Sequence, residues 1–159
     1  MAERRAEATW QGRLRDGQGR MEAASGVFAG PYSFATRFGE QAGTNPEELL
    51  GAAHASCYSM ALAAVVEKRG KVARRVHTRA RVRIEPVGPG FRISSIDLDI
   101  EGDVPGMDEE DFLAAAEEAF LSCPLSQALR GGSAELRHRA VLLPGLRAPE
   151  TSEHGARPS

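Results

Sequence analysis

Cys57 and Cys123 are the only two cysteines in this chain of 159 residues. Each lies in or beside an apolar stretch with helical spacing, and neither belongs to a C-x-x-C motif. A thiolate is a strong nucleophile, so the pair could take part in redox or other nucleophilic chemistry. The alternative is two unrelated buried thiols, because free cysteine is among the most buried residue types. What the two cysteines do together therefore largely decides the function.

The composition fits a single soluble domain. Hydrophobic residues make up 42% of the chain and charged residues 26%, with a net charge of −2, so nothing general favours nucleic-acid or membrane binding. We identify no apolar run near the ~20 residues that span a bilayer, and segment 1–13 lacks the apolar stretch of a secretory signal. We therefore predict a cytoplasmic protein, where a cysteine pair is more often redox-active or catalytic than structural.

The N-terminal half predicts β-structure followed by one long helix. Residues 8–38 contain two segments around the glycine-rich turn DGQG and then an aromatic-rich segment, as strands favour. The helix begins after Asn45, a favourable N-cap, with Pro46 in the first position and Glu48 where a capping box requires it. It is predicted to end at Gly70.

Small and apolar residues recur at three- and four-residue steps along this helix, and we expect the stripe that they form to be buried. It consists of Leu50, Ala53, Cys57, Ala61 and Ala64. Cys57 lies about three turns from the N-terminus, so the helix dipole adds little to its acidity, and burial would raise the pKa of the thiol. A reactive Cys57 therefore needs a nearby cation, and arginine is the natural choice because it stays charged.

The next segment predicts a charged hairpin. Residues 74–85 alternate basic and apolar positions, and after the turn PVGPG residues 93–102 alternate acidic and apolar positions. In an antiparallel pair the basic face of one strand meets the acidic face of the other. We interpret this as a solvated charge surface rather than a phosphate-binding one.

Cys123 falls at a predicted break between two helices. The first runs from Asp108 to about Ser122, and Pro124 disfavours helical geometry at the residue before it. A short second helix extends to Arg130. A thiol at the start of a helix has a lowered pKa, so on local electrostatics alone Cys123 is the better thiolate of the pair.

A last strand is predicted over residues 134–143, and residues 144–159 are expected to form a flexible tail. The chain is thus predicted to be one α+β domain, residues 1–143, with mostly antiparallel strands.

Three segments resemble the OsmC/Ohr family, the osmotically inducible protein C and organic hydroperoxide resistance proteins. They are PYSFATRF at 31–38, GTNPEELLGAAHASCYSMAL at 43–62 and SCPLSQAL at 122–129. The HAxC form with His54 is more similar to the OsmC branch. The resemblance implies the OsmC-like fold, an intertwined homodimer, and a thiol peroxidase that reduces organic hydroperoxides, and H2O2 less well. It implies no metal and no cofactor. Ser56 and Tyr58 depart mildly from the family's alanine and phenylalanine.

The resemblance also implies residue roles. Cys57 would be the peroxidatic thiol and Cys123 the resolving thiol, joined in an intramolecular disulfide after each turnover. Arg37 and Glu47 would activate Cys57 and position the peroxide, with Glu47 fixing the guanidinium of Arg37 through an ion pair. A dithiol or a lipoylated protein would reduce the disulfide.

The spacing of these residues raises a geometric question. Glu47 and Cys57 are about 15 Å apart along a continuous helix. Either the helix is broken, or Arg37 spans much of the gap, or the pair meets Cys57 of a second subunit. The small residues of the helix would allow close packing at such an interface, so we predict a homodimer with composite sites.

Other candidates keep open roles. His54 lies one turn before Cys57 and is predicted to be a packed helix histidine, a supporting site residue or, least of all, a metal ligand; His77 and His138 are expected to be structural. Five aromatic and apolar residues are expected to belong mainly to the core and the interface, but a few of them should line a pocket for the alkyl group of a hydroperoxide. The candidates are Tyr32, Phe34, Phe38, Phe120 and Leu121.

The alternative functions are a non-enzymatic stress or ligand-binding protein and a disulfide-based redox sensor.

Overall fold

The computed structural model describes residues 1–144, and within them the chain forms four helices and two three-stranded sheets. The elements are β1 (Ala6–Gln11), β2 (Gln18–Ala23), β3 (Ala29–Ser33), α1 (Phe34–Phe38), α2 (Pro46–Lys68), β4 (Arg75–Val87), β5 (Gly90–Asp103), α3 (Glu109–Ser122), α4 (Pro124–Leu129) and β6 (Glu135–Leu142). The predicted α+β class is confirmed. The predicted tail lies outside the described residues from 145 onward.

The first sheet is an antiparallel meander of β1, β2 and β3. The prediction of β-structure up to residue 38 is wrong for its last five residues, which form α1. Ser33 starts this helix because its hydroxyl accepts a hydrogen bond from the N–H of Thr36, whose own hydroxyl accepts from the N–H of Ser33. In the three strands Gly30 is the one buried residue, so this sheet leaves most of its surface open.

The second sheet has the order β4, β5, β6. The predicted hairpin is confirmed, with β4 antiparallel to β5 and Gly88 at a positive φ of 56° in the turn. Its outer face carries the predicted ion pairs, including Arg79 with Glu101 at 2.9 Å and Arg81 with Asp99. Strand β6 is parallel to β5. It can be parallel because α3 and α4 form the crossover between the two strands.

Helix α2 begins after Asn45 as predicted, with the Asn45 side chain accepting a hydrogen bond of 2.8 Å from the N–H of Glu48, but the Glu48 side chain does not complete the capping box. The predicted buried stripe is wrong, because Ala53 and Ala64 are exposed and Cys57 is half-buried. The buried positions are Glu47, Gly51, His54, Tyr58, Leu62, Val65 and Val66. Most residues of this helix are apolar or small, so periodicity alone could not identify which face packs against the sheet and α3.

The expectation that no apolar segment is long enough to span a bilayer is also wrong. Helix α2 has a mean hydropathy of 1.6 over an 18-residue window, which by length and composition is enough to cross a membrane. The core helix of a soluble protein meets the same criterion. Here Tyr58 and Leu62 of the helix belong to the core cluster with Leu98 and Ile100 of β5 and Phe112 of α3.

Candidate active site

The two cysteines come together where α2 meets the junction of α3 and α4. The sulfur atoms of Cys57 and Cys123 are 3.4 Å apart, and both residues are free thiols. Cys57 is half-buried and Cys123 is fully buried. Cys123 has the extended backbone that Pro124 imposes on the preceding residue, with φ −58° and ψ 122°. The break between the helices therefore directs Cys123 to Cys57.

The two thiols differ in acidity. Burial raises the pKa of the Cys57 thiol, the Leu125 backbone N–H opposes this rise, and Cys123 adds to it. Burial also acts to raise the pKa of Cys123, but the neighbouring N–H and hydroxyl of Ser126 and the Cys57 thiol outweigh it, so the pKa is lowered. Within one chain Cys123 is the more acidic thiol, as the local electrostatic argument predicts.

Arg37 and Glu47 form a two-pronged ion pair. The Arg37 Nη2 donates to Glu47 Oε1 at 2.8 Å, and Nε donates to both carboxylate oxygens at 3.1 and 3.2 Å. The Glu47 side chain is 8% exposed and that of Arg37 36%. Glu47 lies in the first turn of α2, where the helix dipole favours a negative charge. The guanidinium is thereby held in place while part of it stays accessible.

The ion pair and the thiol pair are separate in a single chain. Helix α2 is continuous from Pro46 to Lys68, so the first of the three explanations for the Glu47–Cys57 spacing, a broken helix, is wrong. The carboxylate and the thiol are about 15 Å apart along the axis. Arg37 is also not among the groups that shift the pKa of Cys57.

His54 is fully buried beside the thiol pair, and its Nε2 is 2.8 Å from the Ser126 hydroxyl oxygen. Burial lowers the pKa of His54. Sequence reasoning singled out His54 but missed Ser126. The signal was available, because Ser126 follows Cys123 by three residues in SCPLSQAL and so shares its side of a helical turn. Within residues 1–144 no group of three or more metal-ligating side chains is close enough to hold a metal ion.

A cavity of about 200 Å³ adjoins Arg37. Its lining residues are Trp10, Leu14, Tyr32, Ser33, Phe34, Arg37 and Phe38. Three of the five aromatic and apolar candidates, of which a few were expected to line a pocket, are thus found together. Phe120 instead packs against His138, with ring centroids 4.2 Å apart, and Leu121 is 49% exposed. On its other side Arg37 borders a groove that follows α2 from Glu47 to Ala55.

Comparison with known proteins identifies the family to which this fold belongs. A family model described as OsmC-like protein matches residues 39–137. The solved structure of the organic hydroperoxide resistance protein OhrB of Bacillus subtilis superposes with a TM-score of 0.68 at 24% identity, covering 86% of this chain and 98% of that one. The fold is therefore that of OsmC and Ohr proteins.

Two curated relatives give the sequence relationship. Peroxiredoxin OsmC of Escherichia coli (strain K12) is 41% identical over 128 residues, which is 80% of this chain and 90% of that protein. The organic hydroperoxide resistance protein of Xanthomonas axonopodis pv. citri is 37% identical over 90 residues, 56% of this chain and 61% of that protein. The chain belongs to the OsmC-like family.

Proposed function

We propose that this protein is a thiol-dependent peroxidase that reduces organic hydroperoxides, and H2O2 less well. The observation that carries the proposal is the 3.4 Å contact between the sulfurs of Cys57 and Cys123. The relatives named peroxiredoxin and organic hydroperoxide resistance protein support the same chemistry.

The reaction needs both thiols. The Cys57 thiolate attacks one peroxide oxygen, an alcohol leaves, and Cys57 becomes a sulfenic acid. The Cys123 thiolate then attacks the Cys57 sulfur, hydroxide leaves and is protonated to water, and a disulfide remains. A dithiol or a lipoylated protein of the cytoplasm returns both thiols by exchange. We assign the peroxidatic role to Cys57 because it is half-open to solvent, whereas Cys123 is fully buried.

The raised pKa of Cys57 argues against this assignment. A second subunit would remove this objection. Burial raises the pKa of Cys57 within one chain. In our proposal, the Arg37–Glu47 pair of one subunit meets Cys57 of the other and stabilises its thiolate. Two observations support an intertwined homodimer: the first sheet buries little of its surface, and the Ala53 side of α2 is exposed. Small side chains there allow close packing of helices.

The cavity beside Arg37 gives the substrate preference. Its aromatic and aliphatic lining suits the organic group of a hydroperoxide, while the guanidinium can bond the peroxide oxygens. H2O2 has no organic group to fill the cavity, so it is the poorer substrate.

A steady-state assay tests the proposal. We expect turnover of cumene hydroperoxide to exceed that of H2O2, and a dithiol to support it better than a monothiol. Formation of the disulfide without efficient recycling would identify a redox sensor instead. No reaction of either cysteine with peroxide would leave a non-enzymatic stress or ligand-binding protein.

A further inference from the structure

Helix α1 carries Arg37 but has little buried contact of its own. It is five residues long, and its residues are half-buried or exposed. A helix this short is unstable without tertiary contacts. The position of Arg37 therefore depends on the groups that hold α1 in place.

Two neighbouring side chains of α1 contact two different elements. Arg37 forms the ion pair with Glu47 at the start of α2. The ring of Phe38 stacks on the ring of Phe91, with the centroids 4.1 Å apart and an angle of 25° between the ring planes. Phe91 lies in β5 close to the turn of the β4–β5 hairpin, where it pairs with Pro86. The hairpin of the second sheet therefore contacts the helix that carries Arg37.

The Phe38 ring connects this stack to the candidate site. The Cζ atom of Arg37 lies 5.0 Å from the centroid of the Phe38 ring, which is a cation–π contact. Arg37 and Phe38 both line the cavity proposed for the organic group, whereas Phe91 is not among its described lining residues. Phe91 is 46% exposed, so it lies outside the buried core. The contact through which Phe91 reaches Arg37 is therefore the Phe38 ring.

We propose that Phe91 is a positioning residue for Arg37, because its stack on Phe38 holds α1 against the hairpin and keeps the guanidinium on Glu47. This inference rests on the proposed peroxidase function, in which Arg37 stabilises the Cys57 thiolate and bonds the peroxide. Phe91 takes part in no bond-making step. Its effect is on the fraction of molecules in which Arg37 is in place.

Hydrogen exchange of the reduced protein measures this effect without any peroxide. The N–H of Thr36 donates to Ser33 Oγ at 3.2 Å and the N–H of Gly39 to the Ala35 carbonyl at 3.0 Å, so both amides report the opening of α1. We expect both to exchange about tenfold faster in Phe91→Ala, since the variant loses the ring stack and the apolar contact with it. The amides of α2 should exchange at the wild-type rate, which shows that the fold as a whole is intact.

Two further substitutions at this position separate the ring from its volume. Phe91→Tyr keeps the ring, and its hydroxyl can reach solvent because the position is 46% exposed. Exchange in α1 should therefore stay at the wild-type rate. Phe91→Leu keeps an apolar side chain without the stack, so its exchange rate should lie between those of wild type and Phe91→Ala.

Val87→Ala is the matched control. Val87 belongs to the same hairpin, is 44% exposed and has no ring to stack on Phe38, so this variant should leave exchange in α1 unchanged. Unchanged exchange in folded Phe91→Ala, or exchange in Phe91→Tyr as fast as in Phe91→Ala, would overturn the inference.

Steady-state kinetics connect the stack to Arg37. Phe91→Ala should lower kcat/KM for cumene hydroperoxide about fivefold. In the Arg37→Ala background the same substitution should cause no further loss, because the two residues act as one unit. The same fivefold loss in both backgrounds would contradict a role through Arg37.

The two proposals fail separately. If the wild-type protein does not reduce peroxides, the peroxidase function fails, while exchange in α1 still decides whether Phe91 holds the helix that carries Arg37. If the wild-type protein turns over peroxide and Phe91→Ala leaves exchange in α1 unchanged, the inference about Phe91 fails alone.

Discussion

Glu47 and Cys57 lie on one unbroken helix, so the carboxylate that holds Arg37 is about 15 Å along the axis from the thiol it is proposed to serve. One chain therefore contains both halves of the proposed site without joining them. A second copy of the chain can join them if the two α2 helices pack so that the start of one lies beside the middle of the other.

Mixed dimers test this arrangement. Arg37→Ala and Cys57→Ser homodimers should each lose activity, Arg37→Ala by about 10²–10³ in kcat/KM as for the loss of an oxyanion donor. A mixture refolded together should regain activity, because one site of the mixed dimer combines an intact Arg37 with an intact Cys57. Arg37→Lys is the matched control, since it keeps the charge but not the two-pronged pair with Glu47. No recovery in the mixture would place Arg37 and Cys57 of one site in the same subunit.

The cysteine roles can be separated by trapping the sulfenic acid. Cys123→Ser should still form a trappable sulfenic acid with cumene hydroperoxide but should lose dithiol turnover and overoxidise. Cys57→Ser should fall to the background of the reductant alone. The exchanged assignment, with Cys123 as the peroxidatic thiol, is a real alternative because the pKa of Cys123 is lowered. If the trap labels Cys57→Ser and leaves Cys123→Ser unlabelled, the assignments must be exchanged.

The cavity beside Arg37 predicts a change in substrate preference. Leu14 lines this cavity and is 61% exposed, so Leu14→Gln removes apolar contact without disturbing the core. We expect kcat/KM for cumene hydroperoxide to fall about fivefold and that for H2O2 to stay unchanged. Val27→Gln is the matched control, because Val27 is 88% exposed and does not line the cavity. Equal losses of kcat/KM with both peroxides would show that the cavity does not bind the organic group of the substrate.

Two glycines predict opposite effects on stability. A Cβ at Gly102 would overlap the ring of Phe112, so Gly102→Ala should lower the free energy of unfolding by about 1–3 kcal/mol. At Gly51 a Cβ would lie 3.4 Å from Val82 and 3.5 Å from Ala80, an ordinary contact. Gly51→Ala should raise the free energy by about 0.5–1 kcal/mol through helix propensity. Urea unfolding measures both, and similar values would contradict the packing of α3 on β5.

Burial of two histidines predicts weaker stability in acid. The pKa values of His54 and His138 are lowered below 6.5, by burial in both, with Glu117 partly offsetting the effect at His138. Below pH 6.5 the unfolded chain binds protons that the folded chain does not, so the free energy of unfolding falls as pH decreases. His138→Gln should flatten this dependence in urea titrations above and below pH 6.5. An unchanged slope would mean that other groups cause it.

The sequence predicted the elements better than their contacts. Asn45 and Pro46 mark the start of α2, and Pro124 marks the break at Cys123, because caps and prolines act on the local backbone. The buried face of α2 was predicted wrongly, since it depends on where α3 and the second sheet pack. The hydrogen bond between His54 and Ser126 joins residues far apart in the chain, so it could be expected only after Cys57 and Cys123 had been paired.

The parallel pairing of β6 with β5 has a consequence during synthesis. Cys57 and the helix that carries it leave the ribosome well before β6, which is the last strand of the described fold. Until β6 pairs with β5, one end of the crossover that contains Cys123 is not anchored, and Cys57 lacks a fixed partner. A sulfenic acid formed at that stage can proceed to irreversible oxidation. The nascent chain is therefore the form of this protein most vulnerable to the oxidants it is proposed to remove.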